Sequence, residues 1–177
     1  MLDPEKDAHR PLRLPEYKYD TPGYYFVTFN ARPRGEDILS HISPEPPASV
    51  GPPAHGRPAP SITLTPTGEI VNTLIQNIDH VYRDVSVDCY VIMPDHVHMI
   101  LVLGCHDINR DGRRWAGGPT DKQTPLSTVI NSLKTLTTKR IGRSIWQSRF
   151  YDHVLRNDAD LRETRQYIEN NPLKARL

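Results

Sequence analysis

The segment His96 to Leu103, HVHMILVL, constrains the fold more than any other stretch of the chain. Side chains on a strand alternate between two faces, so Val97, Met99, Leu101 and Leu103 make one face wholly apolar. That face must be covered. The opposite face carries His96 and His98, then Ile100 and Val102. Two imidazoles two residues apart on a strand project from the same side and can be offered to one cation. The plainer alternative is a pair of polar residues near a strand end, hydrogen-bonded to their neighbours. Either way their polar atoms need partners, because a buried unpaired group costs roughly 1–3 kcal/mol.

The remaining periodicity alternates between two and 3.6. Tyr24 to Asn30, YYFVTFN, is aromatic and β-branched, as a strand is. Thr65 and Pro66 are an expected N-cap and first position of a helix whose apolar face is Ile70, Val71, Leu74, Ile75, Ile78, Val81 and Tyr82. Val85 to Met93 and His96 to Leu103 read as a hairpin turning at Pro94 and Asp95. Thr124 and Pro125 open a second helix with Leu126, Val129, Ile130, Leu133 and Leu136 inward and Gly142 as its stop. Phe150 to Leu155 is a short strand. Asn157 with Asp160 caps a last helix, which Pro172 is expected to limit. The order β-α-β-β-α-β-α predicts an α+β fold: a ferredoxin-like split βαβ with an antiparallel sheet and an added C-terminal helix.

The 177 residues suit one domain, interrupted by two loops. Residues 44–60 contain seven prolines and only Val50 as a large apolar side chain, so they are expected to be a flexible surface insert. Residues 104–124 form a Gly/Arg-rich loop carrying Arg110, Arg113, Arg114 and Trp115. Cys89 and Cys105 lack CxxC spacing, so neither a disulfide framework nor a cysteine-based zinc site is indicated, and ordinary reduced thiols are expected. No apolar run is long enough to span a membrane, and the charged, proline-bearing start is unlike a signal peptide, so a cytoplasmic protein is expected.

The net charge of +1 conceals a split at Arg110. Residues 1–109 carry 8 Lys+Arg against 14 Asp+Glu, net −6, and residues 110–177 carry 14 against 7, net +7. Such asymmetry suits a polyanion met by the C-terminal part, and equally a charged solvated face. Lys134, Lys139, Arg140, Arg143 and Arg149 lie on or beside the second helix and last strand, where they can track a nucleic-acid backbone. Trp146 and Phe150 can stack on bases or join the core. In RQYIENNP, Tyr167 and Asn171 are four apart and so neighbours on one helical face. Leu161 and Ile168 mark the buried stripe, and Tyr167 lies roughly 100° round from Ile168, at its edge. A tyrosine there either covers the core edge or stands beside a ligand.

The segments GYYFVTFNAR, YVIMPDHVHMILVL, SIWQSRFYDHVLRN and YIENNP together resemble the single-tyrosine HUH transposases, and within them the REP-associated tyrosine transposases. The resemblance runs over about residues 16–175 apart from the proline-rich insert. It implies that His96 and His98 ligate a divalent metal, that Tyr167 is the nucleophile, and that Asn171 falls at the third ligand position, with Glu163 as the alternative. It also implies cleavage and rejoining of single-stranded DNA through a covalent 5′-phosphotyrosine, at hairpin or palindromic repeats, by a protein that often works as a homodimer. Mg²⁺ or Mn²⁺ is favoured over zinc, since a closed zinc site wants four protein ligands. No ATP is required, in keeping with the lack of a GxxxxGK[ST] string. Two competing readings are a hairpin-binding protein without cleavage activity and a metal-dependent hydrolase that uses water. A ferredoxin-like RNA-binding module would need an aromatic K/R-G-F/Y string on a central strand, which VIMPDHVHMILVL lacks.

Overall fold

The structure is a computed structural model, and it describes residues 21–43, 61–104 and 124–174. The insert 44–60, Cys105, and the arginines and Trp115 of the second loop lie outside the described residues. The elements are β1 (Gly23–Asn30), β2 (Ser40–Ser43), β3 (Ser61–Leu64), α1 (Pro66–Gln76), α2 (Ile78–Val81), β4 (Val85–Ile92), β5 (His96–Leu103), α3 (Leu126–Ile141), β6 (Tyr151–Leu155) and α4 (Asp158–Lys174). Four strands make an antiparallel sheet in the order β4-β5-β1-β6, and β2 pairs with β3 in a separate antiparallel ribbon. The result is a mixed α/β architecture in which β1 and β5 are central and buried.

Both faces of the sheet are covered. On one, Tyr25, Val27 and Phe29 of β1 with Val97, Met99, Leu101 and Leu103 of β5 meet α1 and α3 through Val71, Leu74, Ile75, Val129, Ile130 and Leu133. On the other, Phe26, Ile100, Leu155 and Ile168 form a smaller apolar cluster beneath α4. Strict alternation along β5 divides it between the two cores.

A bulge in β4 explains how α4 is fastened. Val87 pairs with Leu101 and Cys89 with Ile100, so Asp88 is the extra residue. Val85 and Val87 face the large core, and beyond the bulge the phase shifts so that Tyr90 and Ile92 do. Asp88 receives a two-pronged bond from Arg165 of α4, at 2.8 Å from Nε and 2.5 Å from Nη2. Ile168, buried one turn later, supplies the apolar half of the docking.

The sequence expectations hold for the main elements and fail at identifiable points. Asn77 breaks the first helix by turning its amide back onto the Thr73 carbonyl at 2.8 Å, so Val81 is 65% exposed instead of inward. Leu136 is likewise exposed, and the inward positions in its part of α3 are Lys134 and Thr137. Thr124 does not cap α3: its hydroxyl and amide both bond Asp84, and Pro125 takes the cap position. Gly142 ends α3 at φ +79°, as expected of a left-handed stop. The helix α4 continues past Pro172, whose fixed φ suits a helix and whose missing N–H removes one bond near the end.

The described residues that flank the two segments are tied together. Ser43 and Ser61 are paired across β2 and β3, holding the ends of the proline-rich insert side by side. Asp84, 7% exposed, accepts from Thr124 through its carboxylate and from the Gly104 amide through its carbonyl, which ties the ends of the second loop.

At the start of α1, Thr65 Oγ accepts from the Gly68 amide at 3.0 Å and donates to the Ile38 carbonyl at 2.7 Å. A Cβ on Gly68 would stand 1.9 Å from the Leu39 carbonyl oxygen, so only glycine fits this approach. Gly68→Ala is expected to cost roughly 2 kcal/mol or more, as overpacking against backbone does, read as a lowered urea midpoint with an unchanged m-value. An unchanged midpoint would show that the β2–α1 junction is not rigid.

Candidate functional site

The site lies on the second face of the sheet, where β5 begins and α4 crosses. Cross-strand register pairs Thr28 with His98 and Asn30 with His96, so β1 sets the neighbours of both imidazoles. His98 is 4% exposed and stacks on Phe26 with ring centroids 5.4 Å apart. Its Nδ1 is 2.7 Å from Thr28 Oγ. His96, more open, has Nδ1 at 2.6 Å from Asp95 Oδ1. With both Nδ1 atoms engaged, the two Nε2 atoms converge to 3.1 Å.

Tyr167 completes the cluster from α4. Its phenol oxygen is 3.5 Å from His98 Nε2, and its ring meets those of His98 and Phe26 edge-on, at 5.3 and 6.0 Å. The tyrosine thus rests its ring on the small core while directing its hydroxyl at the histidine pair. That is the position at the edge of the buried stripe which the spacing to Ile168 implied.

Burial dominates the electrostatics. The His98 pKa is pushed down to about 3, by burial first and by His96 second. The Asp95 carboxyl is drawn down to about 2, chiefly by its bond with His96. Cys89 beneath α4 has its thiol pushed up to about 12 by burial and by neighbouring Asp88, which makes it a poor nucleophile, as expected of an ordinary thiol.

A pair of imidazole nitrogens bound to one divalent ion, with metal–nitrogen bonds near 2.1 Å, lies roughly 3.0–3.4 Å apart. The 3.1 Å between the Nε2 atoms fits that spacing. Asn171, one turn after Tyr167, is buried at 8% exposure. Glu163 is exposed, and among the described residues no third His, Cys, Asp or Glu gathers with the pair to form a metal-binding group. The histidines and Tyr167 are therefore brought together, and Glu163 is not.

Of the five basic residues read as DNA contacts, Lys139, Arg140, Arg143 and Arg149 are exposed. Lys134 is not. It is 8% exposed, and its ammonium donates to the carbonyls of Gln147 and Arg149 at 2.9 and 3.0 Å, between the rings of Phe29 and Phe150. Burial lowers its pKa to about 8. Lys134 fastens the segment before β6 to α3, and the reading of it as a backbone contact is corrected accordingly. Trp146 is a core residue, packed edge-on against Phe29 at 4.9 Å. Sequence reasoning missed Thr28 and Phe26, whose place beside His98 depends on strand register. A lone threonine in YYFVTFN was the available signal for the first.

The depressed His98 pKa generates a pH dependence. An unfolded histidine takes up a proton near pH 6.5 that the folded residue refuses until about 3. Stability is therefore full above about 6.5 and falls by up to about 1.4 kcal/mol per pH unit below it. Asp95 loses its contribution only as the pH falls from its ordinary value of 3.8 toward 2, a separate window. Urea midpoints of metal-free protein between about pH 6.5 and 5 are expected to fall more steeply than those of His98→Asn. Parallel slopes would contradict the assignment.

No family model matches the chain. An uncharacterized protein of Haemophilus influenzae is 24% identical over 174 residues, covering 93% of this chain and 88% of the relative. A REP-associated tyrosine transposase of Escherichia coli is 30% identical over 93 residues, covering 52% of this chain and 47% of the relative, so the match spans about half of that protein. Among solved structures, a REP-associated tyrosine transposase bound to a REP hairpin superimposes with a TM-score of 0.58 at 24% identity, covering 92% of this chain and 74% of that one. This last likeness is one of fold. Among the described residues no helix is long and apolar enough to cross a membrane. The chain is thus similar in sequence, over about half its length, to a REP-associated tyrosine transposase, and similar in fold to another.

Proposed function

We propose that this protein is a transposase-like nuclease on a ferredoxin-like split βαβ scaffold, which cleaves and rejoins single-stranded DNA at hairpin or palindromic repeats. The strand order β4-β5-β1-β6, with helices in the β1-to-β4 and β5-to-β6 connections, supports the scaffold reading. The observation that carries the chemistry is the approach of both His96 Nε2, at 3.1 Å, and the Tyr167 hydroxyl, at 3.5 Å, to His98 Nε2 at the junction of β5 and α4.

In this reading Tyr167 Oη attacks the scissile phosphorus, a 5′-phosphotyrosine forms, and the bond to the 3′ oxygen breaks. The phenol gives up a proton and the departing 3′ oxygen gains one. Reversal on another strand end rejoins DNA with no external energy, because one phosphodiester replaces another. A free tyrosine has a pKa near 10, so about one phenol in a thousand is ionised at neutral pH. His96 and His98, with Asn171 as the third ligand, would hold Mg²⁺ or Mn²⁺, which would supply Lewis acidity to the phosphate. The chain's own contribution is alignment: Phe26 backs both His98 and Tyr167, and the Arg165–Asp88 pair with Ile168 keeps α4 on the sheet.

Lys139, Arg140, Arg143 and Arg149 are the exposed candidates for the DNA backbone. That the relative of similar fold is bound to a REP hairpin supports a folded hairpin as the substrate. Action as a two-fold homodimer follows from the family resemblance, and a cytoplasmic location from the lack of a long apolar run or signal-like start in the sequence.

The test mixes the protein with labelled hairpin-bearing single-stranded DNA and Mn²⁺, and looks on a denaturing gel for a protein–DNA adduct. The adduct is expected with wild type and is expected to fall at least 100-fold in Tyr167→Phe and in His96→Ala. Cleavage that survives Tyr167→Phe without an adduct would point to a water nucleophile. Hairpin binding without cleavage in the wild type would identify a binding protein.

A further inference from the structure

Asp95 sits in the turn between β4 and β5 and accepts three hydrogen bonds. Its carbonyl takes the Ala31 amide at 2.7 Å, Oδ2 takes the Gly35 amide at 2.9 Å, and Oδ1 faces His96 Nδ1 at 2.6 Å. An ionised carboxylate has no proton to give, so the proton of that last bond belongs to Nδ1. His96 Nε2 is then a bare lone pair, directed to the point it shares with His98 Nε2. The situation of His98 differs. Thr28 Oγ, at 2.7 Å from His98 Nδ1, can donate or accept, so it holds the ring in place without choosing its tautomer.

We propose that Asp95 is a positioning residue that fixes His96 in the Nδ1–H tautomer, so that its Nε2 is permanently available to a divalent cation, while Thr28 lets His98 adopt either tautomer. The inference rests on the reading of the histidine pair as a metal site. Two consequences follow from the chemistry. Asp95 spares His96 the cost of a tautomer change when a cation binds, and its negative charge raises the basicity of the ligating nitrogen. In the cation's absence His98 can donate Nε2–H to His96 Nε2 across the 3.1 Å gap, with Thr28 donating to Nδ1. The pair is then satisfied in both states.

The experiment uses the full chain. Histidine side-chain ¹H–¹⁵N correlations are recorded without metal at about pH 8, above the ordinary histidine range. Mn²⁺ affinity is measured by calorimetry on the same samples. Wild-type His96 is expected as Nδ1–H. Asp95→Ala is expected to shift His96 toward Nε2–H and to weaken Mn²⁺ binding roughly 10–100-fold. Asp95→Asn, nearly identical in shape, keeps one acceptor oxygen. Its amide oxygen can face His96 and accept from Nδ1–H while its NH2 group gives up the exposed Gly35 bond, so the tautomer is expected to stay and the affinity to recover in part. This variant carries the test should the alanine variant unfold.

Finding wild-type His96 as Nε2–H would overturn the proposal, as would unchanged tautomer and Mn²⁺ affinity in Asp95→Ala. So would an Asp95→Asn variant whose His96 goes over to Nε2–H with no loss of affinity. If His96→Ala binds Mn²⁺ as tightly as wild type, the metal reading fails, whereas the tautomer spectra still decide what Asp95 does.

Discussion

The site depends on α4 staying docked on the second face of the sheet. The apolar contact there is small, centred on Phe26, Ile100, Leu155 and Ile168, whereas the opposite face carries most of the core. A helix held by so little buried surface needs a directional tie, and the paired bonds from Arg165 to Asp88 provide it. Asp88 is available for this because it is the extra residue of the β4 bulge. The irregularity in the strand thus reaches the chemistry through three steps: bulge, ion pair, helix position, and so the direction of the Tyr167 hydroxyl.

A division of labour between the faces follows. The large core makes β1 and β5 rigid, and their register brings Thr28 against His98 and Asn30 against His96. The smaller cluster seats a separate element, the helix bearing Tyr167. Rigid histidines with a separately docked tyrosine suit a reaction in which the tyrosine must hold DNA covalently and later release it. The residues that flank 44–60 and 105–123 are tied together, Ser43 with Ser61 and Asp84 with Thr124.

Much of this was legible in the chain because β5 obeys a strict two-residue period. The alternation in HVHMILVL separates the large core from the site face, and the one-residue step from Tyr167 to Ile168 puts the tyrosine at the core edge. What escaped was decided by non-local contacts. Lys134 looks like a solvated base until the carbonyls of Gln147 and Arg149 fold over it. Val81 fits an apolar helical face until Asn77 interrupts the helix. The alternation of VSVDCYVI runs through Asp88 without a break, so the bulge leaves no local sign, and the partner of Asp88, Arg165, lies 77 residues away. The short strands SHIS and SITL carry too little periodicity to be seen without each other.

The central claim is that DNA becomes bonded to the Tyr167 oxygen. The most direct measurement is peptide mapping by mass spectrometry after reaction with hairpin-bearing single-stranded DNA, Mn²⁺ and exhaustive nuclease digestion. The account predicts one modified peptide, carrying a nucleotide phosphate on Tyr167. A nucleotide on any other residue, or cut DNA with no modified peptide, would contradict it.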